Sequence, residues 1–210
     1  MKDEATGSWW QQVKGRAILG PLKGTQLERI SHDEVTFATW KREHPETRVL
    51  RPDPALSKHY ASENWEEEIA ALPVVTPRSA REPLKDRDLV VGVEAGGSSR
   101  AYLLSELAGR GPVNDRLGIV PILVLPFEDG NSVRVFQREI DGQILEFFEG
   151  TGKESGRLVD AATGSTWNLT GLAVAGPLAG KRLARVEALV DYWFDWKTYH
   201  PDLDVYRAGR

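Results

Sequence analysis

Two histidines occupy matching contexts. His44 lies in Trp40-Lys41-x-x-His44-Pro45 and His200 in Trp196-Lys197-x-x-His200-Pro201, and each is followed by an acid, Glu46 or Asp202. An imidazole beside a carboxylate can ligate a metal ion or act as a general base. The plainer reading is structural: the helix dipole favours His at a C-terminus, and His-Pro stops a helix. Asp3 and Asp160 each open an Asp-x-x-Thr-Gly-Ser turn. Brought together they would form a carboxylate pair. Apart, each is an Asx-turn whose side chain accepts from the backbone amide two residues on. Catalytic candidates are therefore His44, His200, Asp3 and Asp160, with His44 and His200 the alternative metal ligands.

The binding candidates are Trp9, Asn114, Asp115 and Arg138. Seven tryptophans stand at positions 9, 10, 40, 65, 167, 193 and 196. Exposed indoles suit ligand stacking or a partner surface, whereas buried packing is their default use. Asn114-Asp115-Arg116 and the pair Arg134 and Arg138 can line a polar cleft, or serve equally as loop polar groups and strand-face charges. Gly150-Thr-Gly-Lys153 resembles a phosphate loop only in part, since Phe147 stands where its first Gly belongs and Glu154 where Ser or Thr belongs. No nucleophile elbow or zinc-helix motif occurs, and no cofactor is expected.

Composition narrows the classes. The 210 residues carry 27 basic and 31 acidic side chains, a net charge of −4 that argues against nucleic acid as partner. Cysteine is absent, which removes disulfides and thiolate chemistry. The longest apolar stretch, Leu117 to Phe127, is too short to span a bilayer and contains Pro121 and Pro126. The first residues lack the apolar core of a signal peptide.

The elements that would position these residues come in two copies. Residues 3–51 align with 160–207 across a one-residue gap, with about 20 identities in roughly 49 positions. Asp3-x-x-Thr-Gly-Ser-x-Trp10 matches Asp160-x-x-Thr-Gly-Ser-x-Trp167, and Gly20-Pro-Leu-x-Gly24 matches Gly176-Pro-Leu-x-Gly180. Leu27 and Arg29 match Leu183 and Arg185, and the two Trp-Lys-x-x-His-Pro runs coincide. Trp9 has Thr166 as its counterpart and is expected outside any shared core. The pattern reads as a duplication whose first copy lacks the segment that precedes the second. The expected division is a partial first repeat over 1–52, a Pro- and charge-rich connector with a short helix over 53–87, and a complete second repeat over 88–210.

Each copy predicts strands at Ala17–Leu19 and Gln26–Ile30, a helix over Val35–Glu43 or Leu189–Tyr199, and a final strand at Arg48–Leu50 or Asp204–Tyr206. A helical island is expected over Ser62–Leu72, with Trp65, Ile69 and Leu72 on one side. Further strands are expected at Leu89–Glu94, Ser99–Leu103, Ile119–Leu125, Val133–Glu139 and Gln143–Phe148, with a short helix at Leu104–Ala108. Gly96-Gly97 and Asp141-Gly142 mark hairpins. The fold class is α+β, mostly β, with short strands, hairpins and a few short helices.

These motifs, with Val91-Gly-Val, Ala101-Tyr-Leu, Val113-Asn-Asp and Val135-Phe136, resemble the family called domain of unknown function 3179. The resemblance covers nearly the whole chain except the connector. It implies tandem duplication, a bacterial or archaeal source, usual export, and an upstream half-unit with a Cys-Pro-Leu-Cys-type segment. It implies no activity. The expected function is a non-catalytic binding or interaction protein, its ligand or protein partner unknown, using the groove between the two related units. The alternative is a metal-binding or hydrolase-like protein using the paired His and acid residues. Self-association through an exposed half-unit edge is a further expectation.

Overall fold

The structure is a computed structural model that describes residues 1–28, 30–75 and 82–207. Arg29 of the expected Gln26–Ile30 strand and Pro77 of the connector lie outside the described residues.

The first segment forms β1 (Trp9–Gln11), β2 (Arg16–Leu19) and α1 (Phe37–Glu43); α2 (Trp65–Ala71) follows. From residue 89 come β3 (Leu89–Ala95), β4 (Ser98–Leu103), α3 (Leu104–Leu107), β5 (Val113–Leu117), β6 (Val120–Pro126) and β7 (Val133–Gln137). Then follow β8 (Glu139–Ile140), β9 (Gln143–Ile144), β10 (Phe147–Glu149), β11 (Leu158–Asp160), β12 (Thr166–Trp167) and β13 (Ala173–Ala175). The chain ends with β14 (Ala184–Arg185), β15 (Ala188–Tyr192), α4 (Trp193–Tyr199) and β16 (Asp204–Val205). The α+β, mostly-β class holds.

Three small sheets stack in layers, with strand orders β15-β3-β4-β16, β14-β7-β6-β5 and β10-β11-β12-β13. The apolar runs Val90-Val91 and Ile122–Leu125 have no polar alternation because both of their faces are buried. Val91, Val93, Ile122 and Val124 point into one core between the first two sheets. Leu123, Leu125 and Phe136 point the other way, onto Phe147, Leu158 and Trp167 of the third. Val90 and Ala101 meet Trp193 and Trp196 of α4. The Asp141-Gly142 hairpin joins β8 to β9 with φ of 51° and 80°, the positive pair a two-residue type I′ turn needs.

Several boundaries differ from expectation. Leu189–Tyr192, expected as the start of a helix, belongs to the strand from Ala188 that pairs antiparallel with β3, and the helix begins only at Trp193. Adjacent aliphatic residues fit either period, and the open edge of β3 decides for a strand. The Gln26–Ile30 strand shrinks to an isolated bridge from Gln26 to Arg16, and Arg48–Leu50 forms no strand. Ile119 is exposed, at a turn before β6. The connector also holds a 3-10 helix at Pro54–His59, started by Pro54 and by Asp53 accepting from the Ala55 amide.

The two aligned segments carry one hydrogen-bond pattern. Asp3 accepts from the Thr6 amide at 2.6 Å and from the Trp10 indole at 2.8 Å; Asp160 accepts from Thr163 at 2.7 Å and Trp167 at 2.9 Å. Ser8 Oγ accepts from the Leu22 amide, and Ser165 Oγ from Leu178. Gly20 and Gly176 sit with φ of 97° and 89° so close to these serines that an added Cβ would lie 2.7 Å from a Ser Cα.

Residues 33–43 strap the first segment onto the second sheet. Glu34 bridges Val133, and Thr36 caps α1 while its amide donates to Ser132 Oγ at 2.8 Å. Asp129 accepts from Thr36, Thr39 and Ser132 hydroxyls at 2.7, 2.9 and 2.6 Å. Burial of Asp129 is outweighed by these donors, which hold its carboxyl well below the usual range. Arg134, almost fully buried, grips Glu43 with two hydrogen bonds of 2.6 and 2.5 Å and Asp33 at 2.9 Å, and Arg185 closes on the same Asp33. This bidentate ion-pair hub fixes the strap's path.

Candidate functional site

Between the strapped segment and the first sheet lies a cleft of about 400 Å³. The hairpin loop and the strand exit contribute Gln12, Val13, Gly15 and Leu27, and Val13 packs onto the Trp193–Trp196 cluster. Opposite lie Gly92 of β3, residues 187–191 along β15, and Asp195 and Trp196 of α4. Gly92 is required by packing: a Cβ there would lie 2.3 Å from the Trp196 ring. The indole therefore lies flat on the sheet backbone, with the His200 ring stacked 3.7 Å from it.

Six acidic residues line this space: Glu28, Glu34, Glu94, Glu187, Asp191 and Asp195. Its described lining includes His32 and neither Lys nor Arg. Glu34 accepts from the Val190 amide at 2.5 Å, and Glu94 accepts from His200 at 2.6 Å. Burial, followed by the charge of Asp195, pushes the Asp191 carboxyl up to about 7, and burial raises Asp195 as well. Low dielectric combined with like charge is what holds a proton on one of two neighbouring acids. The arrangement can accept a cation in place of that proton.

The expected site residues fall elsewhere or at the margin. His200 is buried against Trp196 and does not line the cleft, its Nδ1 against the Trp196 carbonyl at 2.8 Å and its Nε2 against Glu94. Both ring nitrogens are thus engaged within the protein. His44 is exposed and stacks on Trp40 with centroids 4.0 Å apart. Among the described residues, no hydrogen bond or ring contact joins the two imidazoles, and no group of three or more His, Cys, Asp or Glu is placed to hold a metal ion. Asp3 and Asp160 each close their own turn; the Trp10 indole and the Thr6 amide hold the Asp3 carboxyl down at about 2.

Asn114 trades two hydrogen bonds with the Phe147 backbone, at 2.8 and 2.9 Å, and so splices β5 to β10. Asp115 accepts from Arg100 and Tyr102 at 2.6 Å each. Burial and that carboxylate raise the Tyr102 phenol. Arg138 donates to the Ile122 and Leu145 carbonyls at 3.2 and 2.8 Å. Trp9 is half exposed beside β2. None of these four borders the cleft.

Asp191, Asp195 and Glu34 were missed. Asp191 and Asp195 sit i, i+4, a spacing that reads as an ordinary solvated helix face, and nothing local reveals that a remote loop covers them. The model of the family described as "Protein of unknown function (DUF3179)" matches residues 1–203. The chain belongs to that family. No curated protein and no solved structure matches this DUF3179 chain. Among the described residues no helix is long and apolar enough to cross a membrane.

Proposed function

We propose that this DUF3179 chain is a non-catalytic binding protein and that its ligand is a small organic cation held in the acidic cleft. One observation carries the reading: six acidic residues and no Lys or Arg line a cleft of about 400 Å³, where burial and the neighbouring Asp195 raise the Asp191 carboxyl to about 7. A bound cation relieves that repulsion, and its attraction is strengthened by the partly desolvated walls. Calorimetric titration of the full chain with a protonated primary amine tests it. Binding that weakens in Asp195→Asn and with added salt is expected, and heats no larger than dilution at millimolar amine would refute it.

The rival, a metal or hydrolytic site on His44 and His200, has less support, because both His200 nitrogens are committed and His44 lies apart in a different ring contact.

A second surface has an observation of its own. Leu27, Phe37 and Trp40 are 48, 57 and 39% exposed, while the residues aligned with them, Leu183, Trp193 and Trp196, are 2, 3 and 3% exposed. We propose that the two segments arose by duplication, and that the uncovered apolar face of the first associates with the same face of a second copy.

A further inference from the structure

The apolar face left open by the first segment has a covered copy in the same molecule. α1 and α4 are both seven residues long and both end on a histidine, His44 with φ −128° and ψ 70° and His200 with φ −131° and ψ 67°. In each, the imidazole lies against the indole one turn earlier, with centroids 4.0 Å apart for Trp40 and His44 and 3.7 Å apart for Trp196 and His200. The chain then turns alike. The Thr47 amide donates to the His44 carbonyl at 3.0 Å, and the Leu203 amide to the His200 carbonyl at 3.2 Å. Thr36, Thr39 and Glu43 anchor α1 to the second sheet from its opposite side, leaving Phe37, Trp40 and His44 exposed.

The β3–β4 hairpin covers α4, and its residues show what such a cover requires. Gly92 gives the Trp196 ring room on the strand, and Glu94, two residues on and on the same strand face, meets His200 Nε2 at 2.6 Å. After the helix, β16 adds to β4 in parallel, with Asp204 opposite Arg100 and Val205 opposite Ala101, and Asp204 meets the Arg100 guanidinium at 3.1 Å. The residues aligned with Asp204, Val205 and Tyr206 are Arg48, Val49 and Leu50; all three are exposed and none belongs to a strand. The charge at the first of these positions is reversed.

We infer that residues 37–50 are a docking site for an antiparallel β-hairpin of a partner protein. One strand of that hairpin carries Gly-x-Glu or Gly-x-Asp beneath Trp40 and His44. Its other strand carries an acid opposite Arg48 and pairs in parallel with residues 48–50. The inference rests on the reading of this face as an association surface and names its partner; pairing with a second copy is the state of the face without that partner. Docking buries Phe37 and Trp40 and gives the main chain of residues 48–50 a ladder. The glycine is required because an indole cannot lie flat on a strand with a Cβ beneath it. Arg48 selects an acidic strand and repels one that carries Arg there, as the chain's own β4 does.

Head-to-tail cyclised peptides spanning residues 89–103 are the probes, one with the chain's own sequence and one with Arg100→Glu. Each is titrated into the full chain and read by amide chemical shifts and by sedimentation. The Arg100→Glu peptide should bind saturably, shift residues 37–50, convert dimer to monomer, and bind about tenfold more tightly than the unaltered peptide. Adding Gly92→Leu to that peptide should weaken it by about tenfold or more. In the protein, Arg48→Glu changes an exposed residue and should reverse the preference between the two peptides, which mere stickiness of an apolar face would not do. Equal binding of both peptides, or a preference that Arg48→Glu leaves unchanged, overturns the inference. Absence of saturable binding by either peptide also overturns it, and a dimer still seen in that case leaves the self-association standing. Selective binding to a chain that is monomeric at every concentration upholds the hairpin site and removes the self-association.

Discussion

Asp191 is held near neutrality by burial, by Asp195 and by Glu34, with Glu28, Glu94, Glu187 and His32 lining the same space. Its native pKa of about 7 lies above the roughly 3.9 of an unfolded chain, so between those values the folded state binds the extra proton. Its contribution to stability therefore falls as pH rises from about 4 through 7, and stays lost above. Asp191→Asn should raise the melting temperature at pH 8 and leave it nearly unchanged at pH 3.5, as scanning calorimetry can show. Asp160 is different: it is fully buried and is the acceptor for the Trp167 indole. Asp160→Ala should cost about 2–4 kcal/mol in urea denaturation by stranding that donor, and Asp3→Ala, at the exposed copy, should cost less. That both aspartates close local turns was legible, although each accepts from the amide three residues on, where an Asx-turn uses the second, and the indole contact seven residues on was not foreseen. The cleft acids were not legible, since what distinguishes Asp191 from a surface acid is a loop more than 150 residues earlier in sequence.

The hairpins after residue 88 could be read from Gly96-Gly97 and Asp141-Gly142, and the strands beside them from the apolar runs. Residues 188–192 could not, because so short a mixed segment, Ala-Leu-Val-Asp-Tyr, becomes a strand only when an edge such as that of β3 is available to it. The strap of residues 33–43 was equally hidden: its hub joins Asp33 and Glu43 to Arg134 and Arg185, pairs that no local pattern announces. Arg134→Ala would leave Glu43 without its guanidinium partner and Asp33 with Arg185 alone, at a cost of about 3–5 kcal/mol. Hydrogen exchange at residues 33–43 should accelerate in this variant, and a loss spread evenly over the chain would argue against a strap. Gly92→Ala should cost about 1–3 kcal/mol by driving the Trp196 ring off the sheet, and it should weaken amine binding in parallel.

The aligned first and last segments share turn geometry but differ in what covers them. Buried packing was the default for the tryptophans, with Trp9 expected outside; Trp9 is well exposed, but so are Trp40 and Trp65, while Trp10, Trp167, Trp193 and Trp196 are buried. Burial depends on whether a sheet lies above the segment, and an alignment of two segments carries no such information. Sedimentation of the full chain should show a concentration-dependent dimer that Phe37→Glu abolishes; a monomer at every concentration would refute the association. The cleft is the centre of the account, and amide chemical-shift mapping with isopropylamine at pH 8 tests it most directly. The account predicts saturable shifts at residues 12–15 and 187–196 that vanish in Asp195→Asn; shifts that do not saturate, or that cluster away from the cleft, would contradict it.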